Sequence, residues 1–237
     1  MRLFKAFLII ALCWQQLFGA IAFDAATVGT CEACSSKTVT HTATGANLYA
    51  VVGVGLYGNT VTVTGVTCDG VAMSLIRAEP HSTENRTVEL WGKAGCATGV
   101  KDYIVTLSGS NNGVVVGVST FTGVHQTTPT GTPNSAESTG ALPVTVTVTS
   151  AVGELVIDAT MMYDTAETLT VDASQTERYH GSSGTWTESG GSTEVGAANV
   201  TMSWTNTSND AWVIAAVSLK PVTEVTRKTM TTLGVGP

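Results

Sequence analysis

The stretch Pro143-Val-Thr-Val-Thr-Val-Thr149 decides the fold class of this chain. Valine and threonine alternate along it with a period of two, which is typical of a β-strand with one buried face and one solvent-facing face. The same alternation recurs in Lys37-Thr-Val-Thr-His-Thr42 and in Val61-Thr-Val-Thr64. The chain of 237 residues contains 40 Thr and 30 Val, the residue types that favour pleated, half-buried strands. The sequence therefore predicts an all-β protein.

Four more evenly apolar runs predict strands that are buried on both faces, and they span residues 48–56, 114–118, 155–162 and 212–217. Turn signals such as Asp69-Gly70 separate the runs at the short, regular intervals of sandwiches and barrels. We therefore predict a single antiparallel β-sandwich, jelly-roll-like, with about ten to twelve strands.

The domain organisation follows from the segments between and beyond these runs. Residues 122–141 are rich in Thr, Gly, Pro and Ser, which predicts a long loop or a crossover between sheets. Neither half of the chain repeats the other at a fixed period, so we predict one sandwich domain over residues 23–221. Residues 222–237 form a polar segment that we expect to be a flexible C-terminal tail.

The N-terminus has the pattern of a secretory leader. Arg2 and Lys5 precede an apolar stretch from Ala6 to Trp14, and Ala20-Ile-Ala22 offers an A-x-A cleavage site. We expect residues 1–22 to be a signal peptide, and the alternative is an uncleaved membrane anchor. The expected location is extracellular or at the cell surface, with a virion as the alternative.

The charge of the chain restricts its partners. Charged residues make up 12% of the chain, the net charge is −7, and residues 23–237 alone carry −9. Because phosphate binding needs clustered Lys and Arg, the scattered basic residues argue against a nucleic-acid partner. We also expect no membrane partner once the leader is removed.

Four cysteines follow the leader. Cys31 and Cys34 form a C-x-x-C, but Cys68 and Cys96 do not supply the second such pair that a zinc ribbon needs. Four cysteines allow three disulfide connectivities, and we favour a loop-closing disulfide between Cys31 and Cys34 with a cross-strand bridge between Cys68 and Cys96.

Several short phrases carry a family resemblance when they are taken in order. They are Phe23-Asp-Ala-Ala-Thr27, Gly45-Ala-Asn-Leu48, Glu89-Leu-Trp91, Phe121-Thr-Gly-Val124, Gln126-Thr-Thr-Pro129, Gly196-Ala-Ala198, Met202-Ser-Trp204 and Leu219-Lys-Pro221. The chain resembles a loosely defined, largely uncharacterised group of β-sandwich proteins found among tailed-phage virion proteins and in bacterial or environmental sequences. The resemblance implies a jelly-roll-like sandwich with a surface or assembly role, and it carries over no catalytic residue. The leader departs from the phage-type pattern and favours an exported cellular protein.

Catalytic motifs are missing from the sequence, and the carboxylates offer the best route to an enzyme. Glycoside hydrolysis needs two acids that face one cleft, and Glu89 or Asp158 would have to contribute to such a pair. Asp164, Glu167 and Asp172 are candidate ligands of a Ca²⁺ ion, although they lack the order of a known calcium loop. We predict no other cofactor and no other metal.

Two residues are candidate ligand contacts. Trp186 lies in the polar, Gly-rich segment 184–191, which we predict to be a loop, and His125 lies at the start of the segment 122–141. The other tryptophans of the sandwich, Trp91, Trp204 and Trp212, stand in apolar strand contexts that favour the core.

The sequence thus predicts a non-enzymatic, exported structural or surface-interaction β-sandwich. It would self-assemble or decorate a larger particle, and its partners would be itself or other surface or virion proteins. Segment 23–28 or the tail would add to a neighbour's sheet. The alternatives are a carbohydrate-binding module with a glycan ligand and, third, a glycan-degrading enzyme.

Overall fold

The computed structural model describes residues 17–58, 60–163, 169–185 and 187–224. These residues form nineteen β-strands. The first half contains β1 (Leu17–Phe18), β2 (Ala22–Cys31), β3 (Cys34–Ala43), β4 (Tyr49–Tyr57), β5 (Val63–Cys68), β6 (Val71–Ala72), β7 (Ser74–Pro80), β8 (Arg86–Ala94), β9 (Gly99–Asn111) and β10 (Val114–Thr122). The second half contains β11 (Asn134–Ser138), β12 (Val144–Thr149), β13 (Leu155–Met162), β14 (Thr170–Val171), β15 (Thr176–Ser183), β16 (Thr187–Val195), β17 (Asn199–Thr205), β18 (Trp212–Leu219) and β19 (Thr223–Glu224). Within these ranges no helix is able to cross a membrane.

Four antiparallel sheets stack face to face. The first outer sheet has the strand order β3-β9-β5-β6, and it packs on the first inner sheet, β2-β10-β4-β8-β7. The second inner sheet, β11-β18-β13-β16-β15, packs on the first inner sheet and, with its other face, on the second outer sheet, β12-β17-β14. Strands β1 and β19 pair separately with each other.

Three hydrophobic cores fill the spaces between the four sheets. Val52 lies in the first core, Leu90 and Ile157 lie in the central core between the inner sheets, and Met202 lies in the third core. Each inner sheet is therefore buried on both faces. This double burial explains why β4, β10, β13 and β18 are the continuous apolar runs of the sequence, and it confirms that prediction.

The two halves of the chain have the same strand order. Each strand of the first inner sheet has an equivalent at the same place in the second inner sheet: β2, β10, β4, β8 and β7 correspond to β11, β18, β13, β16 and β15. In the outer sheets, β3, β9 and β5 correspond in the same way to β12, β17 and β14. In each half the chain passes repeatedly between inner and outer sheet, as in a jelly roll. The prediction of an all-β, jelly-roll-like antiparallel sandwich is confirmed. Where one sandwich of about ten to twelve strands was expected, the structure stacks two, and the strand count is higher for this reason.

The central strands of the two inner sheets run in the same direction. A Cβ added to Gly53 would lie 2.9 Å from the Ala159 Cβ, and one added to Gly55 would lie 3.2 Å from the Met161 Cγ. Contacts that advance by two residues on both strands show that β4 and β13 are parallel across the central core. Both strands therefore begin at one end of the molecule and finish at the other.

Two segments that the sequence predicted to be loops contain strands. Strand β11 lies inside segment 122–141, and β16 begins inside the Gly-rich segment 184–191. A Cβ added to Gly190 would lie 2.7 Å from the Trp204 ring, and one added to Gly191 would lie 2.3 Å from the Tyr179 ring. The glycines of β16 are thus required by large side chains that pack on a buried strand.

Tyr179 of β15 reaches across the central core. A Cβ added to Gly117 would lie 2.2 Å from its ring, and one added to Gly53 would lie 2.0 Å from its hydroxyl oxygen. Tyr179 is 6% exposed, and its hydroxyl has no hydrogen-bond partner among the described residues. Glycines on both inner sheets therefore form a slot that holds one aromatic ring and joins the two sandwiches.

Candidate functional site

Two tyrosines mark the end of the molecule at which β4 and β13 finish, which we call the tyrosine end. Tyr57 closes β4 and Tyr163 directly follows β13, so the two residues occupy equivalent positions in the two sandwiches. Their ring centroids are 6.2 Å apart with an interplanar angle of 53°. Both rings are partly exposed. The pair is therefore a small aromatic surface at the junction of the two sandwiches.

Arg86, the first residue of β8, supports this pair from the side. Its guanidinium carbon lies 5.5 Å from the centroid of the Tyr163 ring, a cation–π geometry. The Arg86 Nη1 donates to Glu84 at 3.3 Å, whereas its Nε has no hydrogen-bond partner among the described residues. The arginine is 7% exposed, so an unpaired N–H of a charged group is held inside the tyrosine end.

An open depression of about 200 Å³ adjoins Tyr57. Its lining is uncharged and consists of Tyr57, Gly58, Thr60, Val61, Asn85, Ser110, Asn111 and Asn112. The Asn111 side chain holds the wall in place, because its Nδ2 donates to the Tyr57 carbonyl at 2.6 Å and its Oδ1 accepts the Gly113 N–H at 2.9 Å. The Gly58 N–H donates to the Asn85 carbonyl at 2.8 Å, which fixes the opposite side.

The chemistry of this lining suits an uncharged ligand that carries many hydroxyl groups. An amide side chain offers both a donor and an acceptor, which is what a sugar hydroxyl uses, and a tyrosine ring can cover the apolar face of a pyranose. An aromatic wall with a few polar groups that fix orientation is also the usual composition of a small-molecule site.

The structure separates the residues that the sequence singled out. Trp186, Asp164 and Glu167 lie outside the described residues. Asp172 is exposed, and its carboxylate accepts hydrogen bonds from the Ser174 N–H at 3.0 Å and the Ser174 hydroxyl at 2.9 Å, which lower its pKa. Within the described part of the chain, no group of three metal-ligating side chains comes together.

His125 lies at the opposite end from the tyrosines and closes a turn. Its Nδ1 accepts the backbone N–H of Thr127 at 3.3 Å and that of Thr128 at 3.0 Å. The backbone N–H of His125 donates to the Lys220 carbonyl at 2.9 Å. These contacts give the imidazole a local structural role in the connection between the two sandwiches, away from the depression.

The two candidate catalytic carboxylates lie in different cores. Asp158 is fully buried in the third core, where its Oδ2 accepts the Trp204 Nε1–H at 2.7 Å. Glu89 is 7% exposed on β8, on the face that meets the first outer sheet, and accepts the Trp91 Nε1–H at 2.7 Å. Burial raises the pKa of both carboxyl groups. The two acids do not share the cleft that the glycan-degrading alternative needs.

The expected core positions of the tryptophans are largely found, since Trp204 and Trp212 are buried and Trp91 is partly buried. The disulfide between Cys31 and Cys34 is present. The predicted bridge between Cys68 and Cys96 is wrong, because both thiols are free and buried in the first core.

The free thiols interact without a covalent bond. A hydrogen bond from Cys96 lowers the pKa of the Cys68 thiol to about 7, and the same interaction together with burial raises the pKa of Cys96.

Sequence reasoning missed the tyrosine end. The signal that could have located it is a tyrosine directly after each of two buried strands, in Leu56-Tyr57 and Met162-Tyr163. Asn85 and Asn112 carried no signal, because asparagine in a turn is ordinary.

Comparisons of this chain with protein families, with curated protein sequences and with solved structures find no match. The resemblance to the virion and exported β-sandwich group therefore stays a prediction.

Proposed function

We propose that the protein is a non-enzymatic, exported surface-interaction β-sandwich that binds carbohydrate at the tyrosine end. The observation that carries the proposal is the uncharged depression beside Tyr57, which combines an aromatic ring with the amides of Asn85 and Asn112. The buried guanidinium of Arg86, with its unpaired Nε, holds the neighbouring ring in place.

The location of the other reactive side chains supports a binding role. His41 is 2% exposed, and its two ring nitrogens lie 2.8 Å from the Thr27 hydroxyl and 2.9 Å from the Thr120 hydroxyl. Burial lowers the pKa of His41, and the imidazole is thus committed to an internal network. Together with the separation of Glu89 from Asp158, this leaves the depression beside Tyr57 as a surface of amides, hydroxyls and an aromatic ring.

A glycan-binding screen on the full chain tests the proposal, followed by titration of the best glycan. Asn85→Ala and Asn112→Ala should each weaken binding about fivefold, because one net hydrogen bond is worth about 1 kcal/mol. Asn199→Ala removes an equally exposed asparagine from the second outer sheet and should bind as the wild type does. If no glycan binds, or if the depression variants match Asn199→Ala, the proposal fails. Trp186→Ala, in the same titration, tests the contact residue expected from the sequence.

A second candidate function is self-assembly, or attachment to other surface or virion proteins, through a sheet edge. Segment 23–28 is already paired with β10 as part of β2, so it is not the free arm that the sequence suggested. Strand β12 is a better edge, because it pairs only with β17 and its six residues carry no charge.

Light scattering and negative-stain electron microscopy over a range of concentrations test assembly. Thr149→Lys places a charge on the β12 edge and should abolish assembly, whereas Thr201→Lys places it on the central strand β17 and should not. A monomer at all concentrations would remove this second function.

A further inference from the structure

A chain of hydrogen bonds connects Thr27 to Asp24 at one side of the first sandwich. Thr27 and Asp24 belong to β2, His41 belongs to β3, and Thr120 belongs to β10. The Thr27 hydroxyl lies 2.8 Å from the His41 Nδ1, and the Thr120 hydroxyl lies 2.9 Å from the His41 Nε2. The Thr120 hydroxyl also donates to the Asp24 Oδ2 at 2.8 Å. Because β2 and β3 are the edge strands of their sheets, the chain lies where the first sandwich is open at its side.

The Asp24 carboxylate fixes the direction of every proton in this chain. Burial raises the pKa of Asp24, but hydrogen bonds from Thr44 and Thr120 lower the pKa by more, so the carboxylate is ionised and only accepts. The single hydroxyl proton of Thr120 therefore goes to Asp24, and the Thr120 oxygen accepts the N–H of the His41 Nε2. A neutral imidazole carries one N–H, so the His41 Nδ1 accepts the proton of the Thr27 hydroxyl. Burial lowers the pKa of His41, which favours this neutral form.

This order of groups is the one that activates a hydroxyl as a nucleophile. A nucleophilic hydroxyl needs a base within hydrogen-bond reach, and the base needs a third group that holds its tautomer and its orientation. His41 is that base and Thr120 is that third group, while the charge of Asp24 stabilises the imidazole when it is protonated. The Tyr103 ring packs edge-on against the imidazole, at a centroid distance of 5.8 Å. His41 is 2% exposed whereas Thr27 is partly exposed, so the hydroxyl reaches the surface and the base is shielded from water.

A cation lies on the same face of β2 as Thr27. Residues 27 and 29 point to one side of the strand and are roughly 7 Å apart. Lys37 lies across Gly29, because a Cβ added to Gly29 would lie 2.7 Å from the Lys37 Cε and 3.4 Å from its Nζ. In the part of the chain that the structure describes, no carboxylate forms an ion pair with Lys37. The ammonium group is therefore available to a negative charge that develops beside Thr27.

We propose that Thr27 is a nucleophilic site that accepts an acyl group from an activated ester or thioester, with His41 as its general base. The Thr27 Oγ1 attacks the acyl carbonyl carbon, and the hydroxyl proton passes to the His41 Nδ1. The bond from that carbon to the leaving oxygen or sulfur then breaks, and the leaving group takes the proton from His41. The products are an ester on Thr27 and a free alcohol or thiol. The Lys37 ammonium stabilises the negative charge that develops on the carbonyl oxygen.

This site is independent of the proposed carbohydrate site, because none of its residues lines the depression beside Tyr57. A single acylation modifies the chain itself and requires no turnover, so it is compatible with a non-enzymatic protein that becomes covalently attached to a carboxylic acid derivative. The sequence carries no motif for it because the residues come from three strands. Thr27 and His41 are 14 residues apart, and His41 and Thr120 are 79 residues apart.

Incubation of the full chain with p-nitrophenyl acetate tests the proposal. Tandem mass spectrometry should locate an acetyl group on Thr27, and hydroxylamine should remove it, because hydroxylamine cleaves an ester and leaves the amide of an acetylated lysine. Thr27→Val removes the hydroxyl at nearly the same volume and should abolish the hydroxylamine-sensitive adduct. Thr30→Val is the control, since Thr30 is exposed on the other face of β2, and it should be acetylated at residue 27 as the wild type is. A wild type without an acetyl group on Thr27 overturns the proposal.

The rate of acetylation tests the role of each supporting group, with circular dichroism to verify the fold of each variant. His41→Gln keeps a donor and an acceptor but is no base, so it should slow acetylation of Thr27 about a hundredfold. Thr120→Val should slow it at least about tenfold because the tautomer of His41 is no longer fixed, and Thr120→Ser should recover the rate. Lys37→Met should slow it about tenfold or more.

The pH dependence gives a readout that a merely structural histidine would not affect. Because the pKa of His41 is lowered from 6.5, the wild-type rate should reach half of its plateau at a pH below 6.5. An unchanged rate in a folded His41→Gln variant, or a wild-type rate that does not fall on acidification, would also overturn the proposal.

Discussion

Asp158 should make the stability of this protein fall as the pH rises from about 4 to about 7. The lower limit is the ordinary pKa of an aspartate, and the upper limit is the pKa of Asp158 in the folded protein. The carboxyl group is fully buried between the second inner and second outer sheets. Its Oδ1 accepts the Ser192 N–H at 2.6 Å and the Ser192 hydroxyl at 2.9 Å, and its Oδ2 accepts the Trp204 Nε1–H. Burial raises the pKa from 3.8 to about 7, and these hydrogen bonds offset only part of the effect.

The sign and the size follow from proton linkage. Between the two pKa values the folded state holds a proton on Asp158 that the unfolded state has lost, so raising the pH favours unfolding. A difference of about three pKa units at about 1.4 kcal/mol each gives a loss of about 4 kcal/mol, complete above the folded pKa. Below the unfolded pKa of 3.8 this contribution to stability is fully present.

The measurement is urea denaturation of the wild type and of Asp158→Val at intervals across this range of pH. Valine is the appropriate replacement because Val52, one residue before Gly53, occupies the equivalent position of β4. The variant leaves the Ser192 and Trp204 donors unpaired at every pH, so its own cost is constant and other titrating groups cancel in the difference. The wild type should lose about 4 kcal/mol relative to the variant on going from acid to neutral pH. A flat difference would show that the hydrogen bonds cancel the effect of burial on the pKa, and a difference that rises with pH would show that they outweigh it.

Three further predictions concern the junction of the sandwiches and the disulfide. Gly117→Ala should destabilise the fold by about 2–3 kcal/mol in thermal or urea unfolding, because the new methyl group would overlap the Tyr179 ring. Gly65→Ala is the control and should not cause this loss, because no atom lies within 4 Å of the added methyl group. Tyr179→Phe should leave the stability unchanged to within about 0.5 kcal/mol or raise it, since it removes a buried hydroxyl without a hydrogen-bond partner in the described structure; a large loss would reveal an unseen partner. Reduction of the Cys31–Cys34 disulfide should lower the free energy of unfolding by about 2 kcal/mol, the value for so short a loop. Urea unfolding with and without dithiothreitol measures this loss, and the Cys31→Ser variant, which has no disulfide, should not respond to the reductant.

The class of the fold could be predicted because alternation and apolar runs report burial directly. A strand in an inner sheet is buried on both faces, and β4 and β18 meet this burial with runs that are apolar except for Ser218. Asp69-Gly70 predicts the tight turn between β5 and β6, and both residues have positive φ there. Such signals lie within a few residues of one strand or turn, so they can be recognised without knowing which strand pairs with it.

The stacking of two sandwiches could not be predicted in the same way. The equivalent strands read Tyr-Ala-Val-Val-Gly-Val-Gly-Leu in β4 and Leu-Val-Ile-Asp-Ala-Thr-Met-Met in β13, and they share burial rather than residue identity. A core accepts many combinations that fill the same volume, so a repeated topology leaves no repeated sequence. Strand β16 was missed for the opposite reason, because its small residues are dictated by distant rings of Tyr179 and Trp204.

The comparison of the two halves also separates the positions that have diverged from those that carry the same residue. Along β4 and β13 the equivalent interior positions carry different residues. Val52 of β4 corresponds to Asp158 of β13, and Gly55 corresponds to Met161, against which it also packs. At the tyrosine end the equivalent positions carry the same residue, Tyr57 and Tyr163, and both rings are partly exposed. The proposed carbohydrate site would give this matched pair a common role, because a ligand bound there would contact both sandwiches.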